Sequence, residues 1–186
     1  MKALISIDYT NDFIANDGAL TTGLAGQSIE NNLVKVTESF IALDHFVVFA
    51  IDAHDSNDLY HPENNLFPPH NIIGKQGQQL YGALGQLYSN HQSSSQIYWI
   101  NKRHYSAFCG TDLDLRLRER AINEIHLTGV CTDICILHTA IDAYNLGYKI
   151  VIYQDAVASF DTIGHKWALN HFKQTLGAEI LSVNNK

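Results

Sequence analysis

The sequence predicts a three-layer α/β/α domain around a six-stranded, mainly parallel sheet. Three observations lead there. Short apolar runs rich in β-branched residues recur along the chain. One-sided helical segments lie between them, and chemically active side chains sit where several of the runs stop. Buried parallel strands are covered on both faces, so they read as continuous apolar runs rather than as alternation. Alternating such runs with helices builds a sheet with a helical layer on each side.

In chain order, the strand-like runs are Ala3–Ile7, Phe46–Ile51, Ile97–Ile100, Glu124–Thr128, Lys149–Tyr153 and Glu179–Ser182. Between the first two, Ser28 to Asp44 places Ile29, Leu33, Val36, Phe40 and Ile41 on one face of a helix. Asp112 to Ala121 reads as a charged helix with Leu113, Leu115 and Leu117. Thr132 to Leu146 carries Ile134, Leu137, Ile141 and Tyr144, and Gly147 follows as a left-handed terminator. Asp161 or Thr162 caps a last helix that ends before Gly177. The whole chain, 1–186, reads as one domain without repeats or linkers. It carries one long irregular insert at about 53–84, which holds all three prolines (Pro62, Pro68, Pro69) and several histidines. A long insert in a compact domain is usually functional, and this one starts at the end of the second strand.

Bulk properties exclude several functions. A formal net charge of −7 repels phosphate backbones, so nucleic acid is not an expected partner. No run approaches the roughly 18 apolar residues of a membrane span, and the few residues before Asp8 are too short for a signal-peptide core. Three cysteines without framework spacing suit a reducing cytoplasm.

An open α/β sheet gathers its chemistry in the crevice beyond the carboxyl ends of its strands. Asp8 ends the first run and Lys102 follows the third. Leu127-Thr128-Gly129-Val130-Cys131-Thr132-Asp133-Ile134-Cys135 ends the fourth in a tight turn and a helix start. With Thr132 as N-cap, Cys135 falls in the first helical turn. There the unpaired N–H groups and the helix dipole favour a thiolate and can hold an oxyanion. A carboxylate beside it can take the thiol proton and return it to a leaving amine. An ammonium keeps the group near neutrality. Each residue also has a structural reading: Cys135 as core, Lys102 as a surface lysine, Asp8 as a turn residue. Asp12 is expected to be the capping carboxylate. Cys131 and Cys135 form a C-x3-C pair open to redox or metal readings, Cys109 reads as structural, and His138 is a conceivable base one turn beyond Cys135.

Asp52 and His54 flank Ala53, so in extended backbone they point the same way. The insert then supplies His61, Glu63 and His70, the last on backbone stiffened by Pro68-Pro69. Imidazoles with carboxylates suit Zn²⁺ or Fe²⁺, with a hydrogen-bonded loop cluster as the alternative.

Taken together, Asp-Tyr-Thr-Asn-Asp-Phe at 8–13, Asp52-Ala53-His54, Phe67-Pro68-Pro69-His70, Lys102 and Gly129-Val130-Cys131-Thr132-Asp133-Ile134-Cys135 resemble a known family. They are similar to the nicotinamidase (pyrazinamidase) branch of the isochorismatase-like cysteine hydrolases, in order from the first strand to Asp155. The resemblance implies a catalytic triad of Asp8, Lys102 and Cys135. It also implies a cis peptide between Val130 and Cys131 that aims the Cys131 and Cys135 N–H groups at an oxyanion. A divalent metal, Zn²⁺ or else Fe²⁺ or Mn²⁺, would be held by Asp52, His54 and His70, with Glu63 as fourth ligand and His61 versus Glu63 left open. Phe13, Leu20, Phe67 and Tyr105 would line an aromatic pocket. The implied activity is hydrolysis of nicotinamide, and of pyrazinamide, through a Cys thioester in NAD salvage, by a cytoplasmic homo-oligomer, a dimer or tetramer. Thr10 departs from the Gln common at its place in the motif. The alternative is a metal-independent hydrolase of another small amide or vinyl ether on the same fold.

Overall fold

The computed structural model describes residues 1–183. Its strands are β1 (Ala3–Ile7), β2 (Phe46–Asp52), β3 (Ile97–Lys102), β4 (Glu124–Val130), β5 (Lys149–Ala158) and β6 (Glu179–Leu181). They form one sheet in the order β3-β2-β1-β4-β5-β6. Every pairing is parallel, so the expected mainly parallel sheet is wholly so. The order runs one way from β1 and the other way from β4. The switch point, where such sheets bind ligands, therefore lies between the carboxyl ends of β1 and β4.

The helices are α1 (Asn11–Ile14), α2 (Leu24–Ser28), α3 (Glu30–Ala42), α4 (Gly82–His91), α5 (Leu113–Glu119), α6 (Leu137–Asn145) and α7 (Thr162–Gln174). β1 and β2 are buried along their whole length, and successive side chains serve opposite layers. Ile5, Ile7, Val48, Ala50 and Leu127 pack under α5, α6 and α7. Leu4, Val47, Phe49 and Ile51 pack under α3 and α4 with Leu33, Val36, Phe40 and Leu84.

Several elements differ from the sequence expectation. α4 was hidden because Leu84 is its one buried side chain, leaving no apolar stripe to read. β5 runs on to Ala158, past the polar Gln154-Asp155 pair, and its register against β4 shifts between Leu127 and Gly129. Gly129 itself has φ 109°, and a Cβ there would lie 1.9 Å from the Ile7 carbonyl oxygen, so only glycine lets β4 approach β1 this closely. The turn after β4 is a π turn, Thr132–Ile136, and its cap residue is Cys131 instead of Thr132. Asp12 caps nothing: its carboxylate accepts from the Asn71 and Ala19 N–H groups, tying the insert to α1.

Candidate active site

Asp8 leaves β1 at φ 55°, a left-handed conformation that Asp adopts more readily than most residues. Its Oδ1 accepts from the Asp52 N–H at 2.7 Å and its Oδ2 pairs with Lys102 Nζ at 2.8 Å. Lys102 Nζ lies 3.7 Å from Cys135 Sγ and also donates to the His104 carbonyl at 3.3 Å. Asp8 and the Cys135 thiol stand close enough for each to shift the other's proton affinity. A carboxylate, an ammonium and a thiol from the ends of β1, β3 and β4 thus meet in one buried cluster. The Val130–Cys131 peptide at its edge is cis.

The electrostatics differ from the thiolate expectation. Burial pushes the Cys135 thiol well above its ordinary value; Lys102 pulls it down, and Asp8 and Asp52 push it further up. Burial therefore favours the protonated form of Cys135. Burial also raises Asp8, against the pull of Lys102. A carboxylate so raised is matched to taking and returning one proton. Lys102 loses by burial, but Asp8, Cys135 and Asp52 outweigh that and keep it an ammonium. Burial pushes the Cys131 thiol up to about 12, which makes it a poor nucleophile. Cys109 is exposed. His138 is exposed as well, with Nδ1 on the Ile134 carbonyl at 2.7 Å, so it does not pair with Cys135.

Beside the triad, Asp52, His54, Glu63 and His70 are all buried, and one ligand atom from each lies within 4.8 Å of the others. His54 Nε2 is 2.7 Å and His70 Nε2 3.2 Å from Asp52 Oδ2, and Glu63 Oε2 is 3.5 Å from His70 Nε2. Both nitrogens of His61 are engaged elsewhere, Nε2 with the Arg103 carbonyl at 2.9 Å and Nδ1 with the Glu63 N–H at 3.3 Å. His61 therefore orients Glu63 and stands outside the cluster.

These residues fit a divalent cation. Asp52 Oδ1 is buried without a hydrogen-bond partner among the described residues. The Pro68 carbonyl, 2.8 Å from His70 Nδ1, turns Nε2 toward the carboxylates, as metal-bound imidazoles require. Burial works against a charged His70, but hydrogen bonds to Asp52 and Glu63 push it up to about 10. The field that attracts that proton attracts a cation. Asp52 is held well below the usual carboxylate range: Lys102 and the bonds from His54 and His70 outweigh its burial.

Between triad and cluster lies a tight cavity of about 30 Å³. Phe13, Leu20, Phe67 and Tyr105 line it, with Cys135, Asp52, Glu63 and His70. Ile134 and Phe160 also line it, and the sequence reading missed both. Phe160 follows the end of β5, so the carboxyl-end rule that selected Asp8 and Lys102 would have found it.

The family model described as Isochorismatase domain matches residues 2–185. The uncharacterized isochorismatase family protein PncA of Bacillus subtilis (strain 168) is 57% identical over 179 residues, which are 96% of this chain and 98% of that protein. The crystal structure of nicotinamidase/pyrazinamidase PncA from Bacillus subtilis has 56% identity and a TM-score of 0.97, covering 98% of this chain and 100% of that one. Pyrazinamidase/nicotinamidase from Streptococcus mutans UA159 has 55% identity and a TM-score of 0.96, covering 97% and 100%. Pyrazinamidase of Pyrococcus horikoshii in complex with zinc has 26% identity and a TM-score of 0.84, covering 97% and 98%.

Proposed function

This chain belongs to the isochorismatase family, and on that premise we propose that it is a nicotinamidase, hydrolysing nicotinamide to nicotinate and ammonia and accepting pyrazinamide. Relatives that carry this activity in their names share more than half of its sequence. The observation that carries the reading is the aromatic cavity set between a Cys–Asp–Lys cluster and a His/carboxylate group. A nucleophile alone would suit any small amide. A cation-binding group facing it across aromatic walls suits a flat ring with a basic nitrogen on one side and a carboxamide on the other.

Asp52, His54, Glu63 and His70 would hold the cation, with Zn²⁺ first and Fe²⁺ or Mn²⁺ as alternatives. When bound, it supplies an orienting contact for the pyridine nitrogen. Phe13, Leu20, Phe67 and Tyr105 confine the ring and exclude water. Cys135 Sγ attacks the carboxamide carbon while Asp8 takes its proton. Lys102, 2.8 Å from Asp8 and 3.7 Å from Sγ, balances the charge in both states. The N–H groups of Cys131 and Cys135 hold the oxyanion. Asp8 gives the proton to the departing ammonia, leaving a thioester. It then takes a proton from water, which attacks the thioester and frees the acid and the thiol.

The whole chain, 1–186, acts as one hydrolase domain in this reading, with 53–84 as its metal and substrate insert. Its setting is the cytoplasm, in keeping with its free cysteines, as a dimer or tetramer in NAD salvage. Among the described residues no helix is long and apolar enough to cross a membrane. The decisive assay is ammonia release from nicotinamide with and without a chelator. Turnover that the chelator abolishes and Zn²⁺ restores is expected; undiminished turnover after exhaustive chelation overturns the role given to the metal group, and no turnover in any condition overturns the nicotinamidase reading.

A further inference from the structure

The π turn that carries Cys135 has no side-chain cap of its own. It is held from two sides by side chains outside it. On one side, the Thr139 hydroxyl donates to the Cys135 carbonyl at 2.7 Å and accepts from the Ala107 N–H at 3.0 Å. On the other, two bonds join the turn to the β5–α7 connection and to the first turn of α7. Ser159 Oγ donates to Asp133 Oδ1 at 2.6 Å, and Thr132 Oγ1 lies 2.8 Å from His165 Nδ1. Burial holds the His165 imidazole below its ordinary value, so the ring bonds Thr132 in its neutral form. Ser159 also touches the Cys131 thiol and accepts from the Asp161 N–H at 3.4 Å. Gly164 completes the fit, because a Cβ there would stand 2.1 Å from Asp133 Oδ2.

We infer that Ser159 and His165 are positioning residues for the nucleophile, acting through Asp133 and Thr132. The inference rests on the proposed amide hydrolysis at Cys135. Thr132 and Ser159 are buried, so water cannot replace their partners without opening the packing. Sγ must meet Asp8, Lys102 and the carboxamide carbon together, and a shift of an ångström in such an arrangement costs about 100-fold in rate. The cation-binding residues come from β2 and the 53–84 insert, and Phe13, Leu20, Phe67 and Tyr105 lie outside the β5–α7 segment. Ile134, in the turn, and Phe160, beside Ser159, also line the cavity, so releasing the clamp moves the reacting sulfur and these two walls while the cation group and the other four walls stay in place.

The test uses the Zn²⁺-supplied full chain with Cys109→Ser, which removes the exposed thiol. Ser159→Ala and His165→Ala are expected to lower kcat on nicotinamide about 10- to 100-fold, with KM rising by a clearly smaller factor. His165→Asn, which returns a hydrogen-bonding group near the Nδ1 position, is expected to recover most of the loss. The double variant Thr132→Val/His165→Ala should lose no more than the worse single variant, because both break one bond. Iodoacetamide alkylation of Cys135 should slow alongside kcat. Wild-type kcat in both alanine variants, or losses that multiply in the double variant, would overturn the assignment. If the parent chain turns over no nicotinamide, the functional reading fails separately, and the alkylation rates still decide whether the clamp sets the sulfur.

Discussion

Asp52 Oδ1 lies 3.9 Å from the Nζ of Lys102, so one buried carboxylate faces both the triad's cation and the His/Glu group. The two halves of the site share their charge. Lys102 is compensated by Asp8 at 2.8 Å and by Asp52, and both carboxylates depend on it in return.

Lys102→Met should therefore damage stability as well as rate. Removing one member of a buried ion pair typically costs about 3–5 kcal/mol, because the partner stays buried and unpaired. Here two carboxylates lose their counter-charge. Urea unfolding at neutral pH is the measurement, and the deficit should shrink in acid as Asp8 takes a proton. A variant as stable as wild type at neutral pH would contradict the charge arrangement.

Cys135→Ala should stop ammonia release by at least about 1,000-fold, as expected when a covalent nucleophile is lost. The side chain is small and its neighbours remain, so the melting temperature should stay within a few degrees of wild type. Residual turnover near the wild-type rate would eliminate the thioester route.

His54→Ala should lower bound metal, measured by elemental analysis, and raise KM for nicotinamide by about tenfold or more. The triad keeps its geometry, so kcat at saturation should fall less than kcat/KM. Unchanged metal content together with unchanged KM would remove the group around Asp52 from the site.

His126, on β4, titrates independently of the catalytic cluster. Burial lowers it below its ordinary 6.5, outweighing the hydrogen bond it donates to Glu124, while Lys2 and Glu179 act more weakly and Tyr153 holds its other nitrogen. The unfolded chain takes up this proton near pH 6.5 and the native chain only at lower pH. Its contribution to stability is thus complete above 6.5 and is lost as pH falls from there toward the native value, at no more than about 1.4 kcal/mol per pH unit. Chemical denaturation of His126→Gln between pH 7.5 and 5 should show a shallower loss than wild type; parallel curves would refute the assignment.

Much of this was legible in the sequence because burial leaves a compositional trace. β1 and β2 are covered on both faces and are apolar throughout, which is why runs at 3–7 and 46–51 could be read directly as strands. Asp8 and Lys102 stood out because polar groups that end apolar runs must lie at the rim of the sheet. The four cation-binding candidates were visible as residue types at the end of β2 and in the insert that follows it. α4 left no trace because it buries little, and the extension of β5 was hidden by polar residues that tolerate strand geometry at its far end.

The sequence by itself determined the parallel α/β architecture and which residue types crowd the crevice, since both follow from local periodicity and from where apolar runs stop. Only the tertiary structure decided that Glu63 and not His61 faces His70 and Asp52, that burial raises the Cys135 thiol, and that Ser159 and His165 bond to the turn that carries it. Each of those depends on which groups a buried atom meets across tens of residues. Desolvation and hydrogen-bond geometry are properties of that meeting, and no local pattern encodes them.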